Sequence, residues 1–298
     1  MELLNAAPMR DTVVALGKFD GLHIGHGQLL RQTAAIAQKT GLYALAYTFR
    51  MPGRETLTGD DEKAALLARF GMEGAHFEDL TDAFKQLTPE QFVRERLIHT
   101  WHARHIVVGF NYRFGRNRTG DTALLLKLCE TYGIGLTVID PVLVDGAAVS
   151  STRVRQAVAC GDMPLAQTLL GRRYTLAGEV MPGKRLGREI GFPTVNLYPD
   201  RYLILPQRGV YVTGLEWNGA QYPAMTNVGF NPTVEHIRRP KVETHMLDFD
   251  RELYGQRVRI TFYQKIRDEQ AFSGVEQLQA QLSQDVQTTR ECWKSLNR

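Results

Sequence analysis

Two histidines three residues apart, His23 and His26, sit in the glycine-containing run GKFDGLHIGHGQLL (17–30). Imidazoles at i and i+3 of a helix project to one side, so both can donate hydrogen bonds to one polyphosphate. The run follows TVVALGKF (12–19), which reads as a buried strand, and opens GHGQLLRQTAAIAQKTG (25–41), which reads as a helix ending at Gly41. Gly17 and Gly21 permit tight turns there. His23, Gly25 and His26 then fall at the helix start, where unpaired N–H groups and the positive dipole end attract phosphate. A lone His-x-x-His more often marks solvated cap residues or metal ligands. Glycines on both sides and a preceding strand weaken those alternatives here.

Two further constellations carry chemistry. SSTRVR (150–155) offers three hydroxyls and two arginines ahead of the apolar Val158 and Ala159. Ser150 or Ser151 is suited to cap a helix, while Thr152 and Arg155 face outward toward an anion; taken alone, a plain helix cap is the commoner meaning. MPGKRLGREIGFPTVNLYP (181–199) combines Gly183, Gly187 and Gly191 with basic residues that include Arg188. It is not a Walker loop, since no GxxxxGK[ST] occurs, but its backbone can approach phosphates closely. Thr194 and Asn196, two apart, lie on one side of an extended stretch and offer two neutral oxygens for a magnesium ion. A glycine-rich hairpin with a turn proline is the plainer alternative. Downstream, a strand carboxylate beside a bound alcohol can take its proton during phosphoryl transfer. Spacing leaves Glu235, Glu243 and Asp248 equally open for that role.

The elements that must position these groups fall into two kinds. In the first half, strands (12–19, 42–49, 105–110, 136–140) alternate with helices (25–41, 60–71, 89–101, 122–133). That spacing predicts βαβ units and a doubly wound parallel sheet covered on both faces. Ligands then bind beyond the carboxyl ends of strands, which directs attention to the loops after Phe19, Phe49, Phe110 and Asp140. From about Tyr174 the strand-like runs 209–217, 221–230, 242–249 and 257–264 are separated by turns. They predict a small antiparallel barrel capped by a helix over 274–296, with Val275, Leu278, Leu282 and Val286 on one face. GDMPLAQTLLGRR (161–173) reads as the connection, giving domains at 1–170 and 171–298.

Composition narrows the partners. The 298 residues are 43% hydrophobic and 23% charged, and 36 basic against 32 acidic side chains leave a net charge of +4. Without a dense Lys/Arg run, nucleic acid is not expected as a partner. Cys129, Cys160 and Cys292 form no CxxC pair, which favours free thiols in a reducing compartment. No window approaches the roughly 18 apolar residues of a membrane span. A cytoplasmic protein is expected; its composition leaves the oligomeric state open between a monomer and weak self-association.

The N-terminal motifs resemble those of the HxGH nucleotidyltransferase superfamily, marked by His-x-Gly-His after strand one and a late Ser-Thr-x-x-Arg type motif. Within it, G-x-F-D-G-x-H-x-G-H is similar to the FAD synthetase (FMN adenylyltransferase) branch. So is VVGFNYRFGRNRTGD (107–121), which supplies Asn111, Arg113 and Phe114. The resemblance implies a Rossmann-like sheet in which Gly17, Phe19, Asp20, Gly25, Asn111 and Arg113 contact substrates. It implies that His23 and His26 bind the ATP phosphates and stabilise developing charge. Ser151, Thr152 and Arg155 would hold the phosphates that leave as pyrophosphate, with Arg155 counted as catalytic. One departure is that Thr48-Phe49-Arg50-Met51-Pro52 stands where relatives often carry Pro-His-Pro.

GFPTVN, GVY (209–211), NVGFNPTV, VETHMLDF and LYG (253–255) resemble the successive motifs of riboflavin kinase, a six-stranded Greek-key barrel. That likeness implies Thr194 and Asn196 on Mg²⁺–ATP and the 183–191 loop, with Arg188, over the phosphates. It makes Glu243 the base for the ribityl 5′-hydroxyl and gives Asn231 to substrate binding. The glycine loop lacks the G-R-G core of many relatives. Together the likenesses span nearly the whole chain, in the order of bifunctional bacterial enzymes that make FMN and then FAD. Riboflavin, FMN and ATP are then substrates, and no tightly bound prosthetic group is required. The competing readings are an adenylyltransferase for another substrate, a non-catalytic flavin-binding protein and an RNA-binding relative of class I synthetases. The FDG before His23 and the GFPTVN segment weigh against the first of these.

Overall fold

The computed structural model describes residues 1–183, 187, 190–199, 202–230 and 240–296. It divides into two compact units, Met1–Ser151 and Thr152–Arg298.

In the first unit the chain runs β1 (Glu2–Leu3), β2 (Thr12–Leu16), α1 (Ile24–Thr40), β3 (Tyr43–Phe49), α2 (Asp60–Arg69) and β4 (Gly74–Glu78). It continues through α3 (Asp82–Lys85), α4 (Pro89–Gln91), β5 (Ala103–Gly109), α5 (Thr122–Tyr132), β6 (Gly135–Ile139) and the small pair β7 (Leu143–Val144) and β8 (Ala147–Ala148). The main sheet has the order β1-β4-β3-β2-β5-β6. All its pairings are parallel. β2 is buried along its whole length, as the unbroken TVVAL predicts for a strand covered on both faces. Val13 and Ala15 enter one core, and Val14 and Leu16 the other. From β2 the chain adds β3 and β4 on one side, then crosses to place β5 and β6 on the other. The switch point therefore lies between β2 and β5, where a ligand crevice is expected.

The strand read over 12–19 ends at Leu16, which frees Gly17–His23 as a loop. β4 was not anticipated from GAHFE, too short and too polar a run to stand out. The helix read over 89–101 begins with a Thr88/Gln91 capping box and becomes π-helical over Phe92–Thr100.

The second unit holds α6 (Ser151–Ala159, its first residue belonging to the first unit), α7 (Met163–Leu170), β9 (Thr175–Met181), β10 (Val195–Leu197) and β11 (Gly209–Trp217). β12 (Ala220–Phe230), β13 (Pro240–Met246), β14 (Arg257–Arg267) and α8 (Val275–Leu296) follow. The six strands close into a barrel, β10-β13-β12-β11-β14-β9. Every neighbouring pair is antiparallel. On β14, Val258, Ile260 and Phe262 are buried while Arg257 and Arg259 are exposed, the alternation read from sequence. Inside the barrel the hydroxyls of Thr213, Thr226 and Thr244 form a chain with 2.8 Å steps across three strands, so these polar side chains satisfy one another.

α8 lies along β11 and β12. Leu278, Leu282 and Val286 are half-buried as expected, but Val275 is 53% exposed. The most deeply buried residues of α8 are Asp285 and Thr289. Asp285 accepts from Arg267 Nε at 3.1 Å and from Nη2 at 2.7 Å, which is why a carboxylate can occupy the buried face.

Candidate active sites

At the end of β2 the chain turns through Phe19 (φ 47°), Gly21 (φ 76°) and Leu22 (φ 39°). Left-handed backbone at a Phe and a Leu is strained, and burial of both side chains offsets it. A β-carbon at Gly17 would fall 2.8 Å from the Phe19 ring, so this glycine is what lets the ring fold back. Three other segments hold the loop. Thr48 Oγ1 donates to Lys18 O at 3.0 Å. Asp20 Oδ1 accepts from Leu57 N at 2.8 Å. Ser151 Oγ donates to Asp20 O at 2.9 Å.

This loop delivers the histidines to the start of α1. His23 is the N-cap residue, its Nδ1 accepting from His26 N at 3.3 Å. An Nδ1 that accepts leaves the ring proton on Nε2, which makes His23 a donor away from the helix. The two rings stack with centroids 3.7 Å apart, and the edge of His26 meets Phe19 at 5.4 Å. Burial, then His23, then the Lys63 ammonium hold His26 well below the usual imidazole range. His26 is thus neutral, and its Nδ1 is buried with no hydrogen-bond partner among the described residues.

Lys63 escaped the sequence reading. Its ammonium is buried, donates to Phe49 O at 3.3 Å and lies 3.9 Å from Asp60. The available signal was its position three and four residues before Leu66 and Leu67, on the apolar face of α2.

β3, β2 and β5 are parallel neighbours, so the loops after Phe49, Leu16 and Gly109 share one edge of the sheet. Asn111 is exposed beyond β5, and Phe114 is buried and stacked on Tyr112. Arg113 pairs with Asp121 at 3.2 Å, and Asp121 also caps α5. In the variant Thr-Phe-Arg-Met-Pro segment, Arg50 donates to Phe77 O at 2.7 Å. Thr152 is exposed and Arg155 half-buried on α6, three apart and on one helix face.

In the second unit a cavity of about 640 Å³ lies against the outer face of β10, β13 and β12, walled also by Leu278 and Leu282 of α8. Register builds its floor. Asn196 stands opposite Glu243, and Glu243 opposite Asn227, so the three side chains share one face. Thr194, Gly183 and Gly187 also line the cavity. A β-carbon at Gly183 would fall 2.2 Å from Asn196 Nδ2, so only glycine lets the loop pass this close over Asn196. Gly191 is exposed in a left-handed turn (φ 85°). Asn196 is 5% exposed, and its Oδ1 is buried without a partner among the described residues. An unpaired hard oxygen in a cavity that Thr194, a hydroxyl-bearing residue, also lines fits a magnesium ion. Arg188, Asn231 and Glu235 lie outside the described residues.

The structure separates the remaining candidate bases. Glu243 lines the cavity, ion-paired through Oε1 with Lys241 two residues earlier on the same face. Asp248 follows the end of β13, and Arg290 engages both its oxygens at 2.6 and 2.7 Å. The Arg290 guanidinium holds its carboxyl below the usual carboxylate range, which suits a surface tie rather than a base.

A histidine-bearing helix start at the switch point of a parallel sheet, with a six-stranded barrel carrying a cavity of about 640 Å³ on its flank later in the chain, is the arrangement of a two-site enzyme class whose members the following comparisons identify. A model of the FAD synthetase family matches residues 6–153, and a model of the riboflavin kinase (flavokinase) family matches residues 170–293. The bifunctional riboflavin kinase/FMN adenylyltransferase of Listeria monocytogenes is 34% identical over 95% of this chain and 93% of its own length. That of Escherichia coli strain K12 is 35% identical over 97% and 95%. A crystal structure from Streptococcus pneumoniae, described as a macrolide-efflux protein, superposes with a TM-score of 0.89 at 31% identity, covering 97% of this chain and 99% of that one. The chain belongs to the bifunctional riboflavin kinase/FMN adenylyltransferase family.

Proposed function

We propose that the chain carries out two successive ATP-dependent transfers on a flavin, with the chemistry divided between the sites described above. The barrel site phosphorylates riboflavin to FMN, and the parallel-sheet site adenylylates FMN to FAD with release of pyrophosphate. The rung Asn196–Glu243–Asn227 at the floor of one cavity is the observation that carries the kinase assignment.

In the kinase step, Glu243 takes the proton of the ribityl 5′-hydroxyl as that oxygen bonds to the γ-phosphorus and the bond to ADP breaks. Thr194 and Asn196 would hold Mg²⁺, which neutralises charge on the ATP phosphates when bound. Gly183, Gly187, Arg188 and Gly191 belong to the loop that covers those phosphates, and Asn231 to substrate binding.

In the adenylyl step, an FMN phosphate oxygen attacks the α-phosphorus of the second ATP. His23 and His26 stabilise the charge that develops there, and neutral imidazoles suit this because each donates without drawing in a second anion. Ser151, Thr152 and Arg155 hold the departing pyrophosphate. Gly17, Phe19, Asp20 and Gly25 shape the nucleotide-binding loop, and Asn111 and Arg113 contact substrate from the loop after β5. Asp20 and Ser151 contribute at least through the bonds that fix the loop.

We assign the functional domains to residues 1–170 and 171–298, and the cytoplasm as the compartment, where ATP is at hand and the three free cysteines stay reduced. Riboflavin, ATP and Mg²⁺ incubated with the pure chain should yield FMN first and FAD later, with one ADP and one pyrophosphate per FAD. FAD formed from riboflavin without ADP refutes this division.

A further inference from the structure

Asn227 belongs to none of the motif roles above, yet it shares the floor of the kinase cavity with Glu243 and Asn196. Its Nδ2 lies 3.5 Å from Glu269 Oε1. A carboxylate only accepts, so the amide must turn its NH₂ toward Glu269 and its oxygen the other way. A β-carbon at Gly229, on the same outer face of β12, would fall 2.3 Å from Glu269 Oε1. That glycine therefore makes room for Glu269 to reach across the strand and set the amide. The oxygen it directs away, Asn227 Oδ1, is buried and has no hydrogen-bond partner among the described residues. A buried acceptor left unpaired is costly, so a donor or a cation from a substrate belongs there.

Position decides between those two. Asn196 and Asn227 flank Glu243 from opposite sides, two strand steps apart, or about 10 Å between backbones. Ligands of one magnesium ion each lie about 2.1 Å from it, so both amides on a single ion would need both side chains to lean over Glu243. Thr194 and Asn196 together mark the nucleotide side of that carboxylate. Asn227 is then left to the alcohol side, and the acceptor substrate there is a polyol whose hydroxyls are donors.

We infer that Asn227 Oδ1 accepts a hydrogen bond from a non-reacting hydroxyl of the ribityl chain, selecting a polyol and aligning its terminal hydroxyl with Glu243. This rests on the kinase reading of the cavity and extends it to substrate selection.

The test compares riboflavin with an isoalloxazine bearing a 5-hydroxypentyl chain at N10, which keeps the terminal hydroxyl and lacks the others. For the full-length chain and its Asn227→Ala variant, kcat/KM is measured for both flavins, and Kd for both by flavin fluorescence. The wild type should prefer riboflavin by roughly tenfold or more, and the variant should bring the ratio close to one, the scale of one hydrogen bond to a substrate hydroxyl. The ratio is internal to each preparation, so a misfolded fraction lowers both numbers and cancels. An unchanged ratio in the variant overturns the inference, whether or not the absolute rates fall. A loss of discrimination between ATP and 3′-deoxy-ATP instead would move the donor to the nucleotide and overturn it equally. Because Kd needs no turnover, a failed assignment of Glu243 as base shows in kcat alone and is told apart from a failure here.

Discussion

His245 Nδ1 lies 2.8 Å from the carbonyl oxygen of Pro193, tying the strand that carries Glu243 to the segment that carries Thr194. A carbonyl only accepts, so Nδ1 carries the proton, and burial keeps the ring below its usual pKa and neutral. The edge of Phe192 packs on the same ring at 5.4 Å. On the proposed kinase reading, His245 acts as a positioning residue for the Thr194 side of the cavity. His245→Phe should raise the ATP and Mg²⁺ requirement by about tenfold, the scale of one lost hydrogen bond, with a smaller change in kcat. His245→Asn, which can donate from a similar position, should restore most of the loss. Steady-state kinetics at varied Mg²⁺ decide it, and equal damage by both variants argues against positioning.

Glu243→Gln keeps size and an oxygen but cannot take the proton at neutral pH. Kinase kcat should fall by roughly 10²- to 10⁴-fold, the usual scale of general-base catalysis, with flavin and ATP affinity little changed. Asp248→Asn is the contrast, because that carboxylate is held by Arg290 on the surface. It should leave kcat near wild type and change stability little, as loss of an exposed, solvent-screened pair does. A slow Asp248→Asn enzyme beside a normal Glu243→Gln enzyme would reverse the two assignments.

His26→Ala should lower FAD formation from supplied FMN by about 10²-fold, the effect of removing one transition-state donor, while FMN formation persists. Its depressed pKa also has a consequence for stability. The unfolded chain takes up the proton near the ordinary value of 6.5, while the folded chain resists until lower pH. The stability is complete above about 6.5 and is lost as pH falls toward the folded pKa, by at most about 1.4 kcal/mol per pH unit for one proton. Thermal unfolding of the first unit between pH 7.5 and 5.5 should therefore show a smaller acid loss in His26→Gln than in wild type. His105, also lowered by burial, leaves a residual slope in both.

The parallel sheet was legible because β2 and β5 are apolar and α1 and α5 have clear periodicity. The placement of His23 and His26 at a helix start was legible because glycines, a strand and a helix start coincide in one run. Lys63, Asp285 and Asn227 were not. A buried charge such as Asp285 is marked only by its partner, and Arg267 lies on another element. Asn227 gains meaning from its register against Glu243, a non-local fact that no period along the chain encodes. Spacing alone did not separate Glu243 from Asp248 and the resemblance had to, whereas the contact that sets Asp248 apart comes from Arg290, 42 residues away.

Residues 161–173 bear on how far the kinase can be cut down. They read as a connection, but Met163–Leu170 is the helix α7, capped by Asp162 and packed on β14. Met163, Ala166, Leu169 and Leu170 are each at most 3% exposed. Burial of a Leu or Met side chain contributes about 1.5–3 kcal/mol, so a fragment spanning 171–298 forfeits several kcal/mol that one spanning 152–298 keeps. Both retain the β10–β13–β12 floor, Thr194, Glu243 and α8, so both should phosphorylate riboflavin, and neither should make FAD from FMN because His23 and His26 are absent. The longer fragment should unfold at the higher Tm, and the shorter one should lose kinase activity first on warming. Equal melting temperatures would mean that α7 adds nothing to the barrel. A folded but inactive 152–298 fragment would mean that the kinase depends on the first unit.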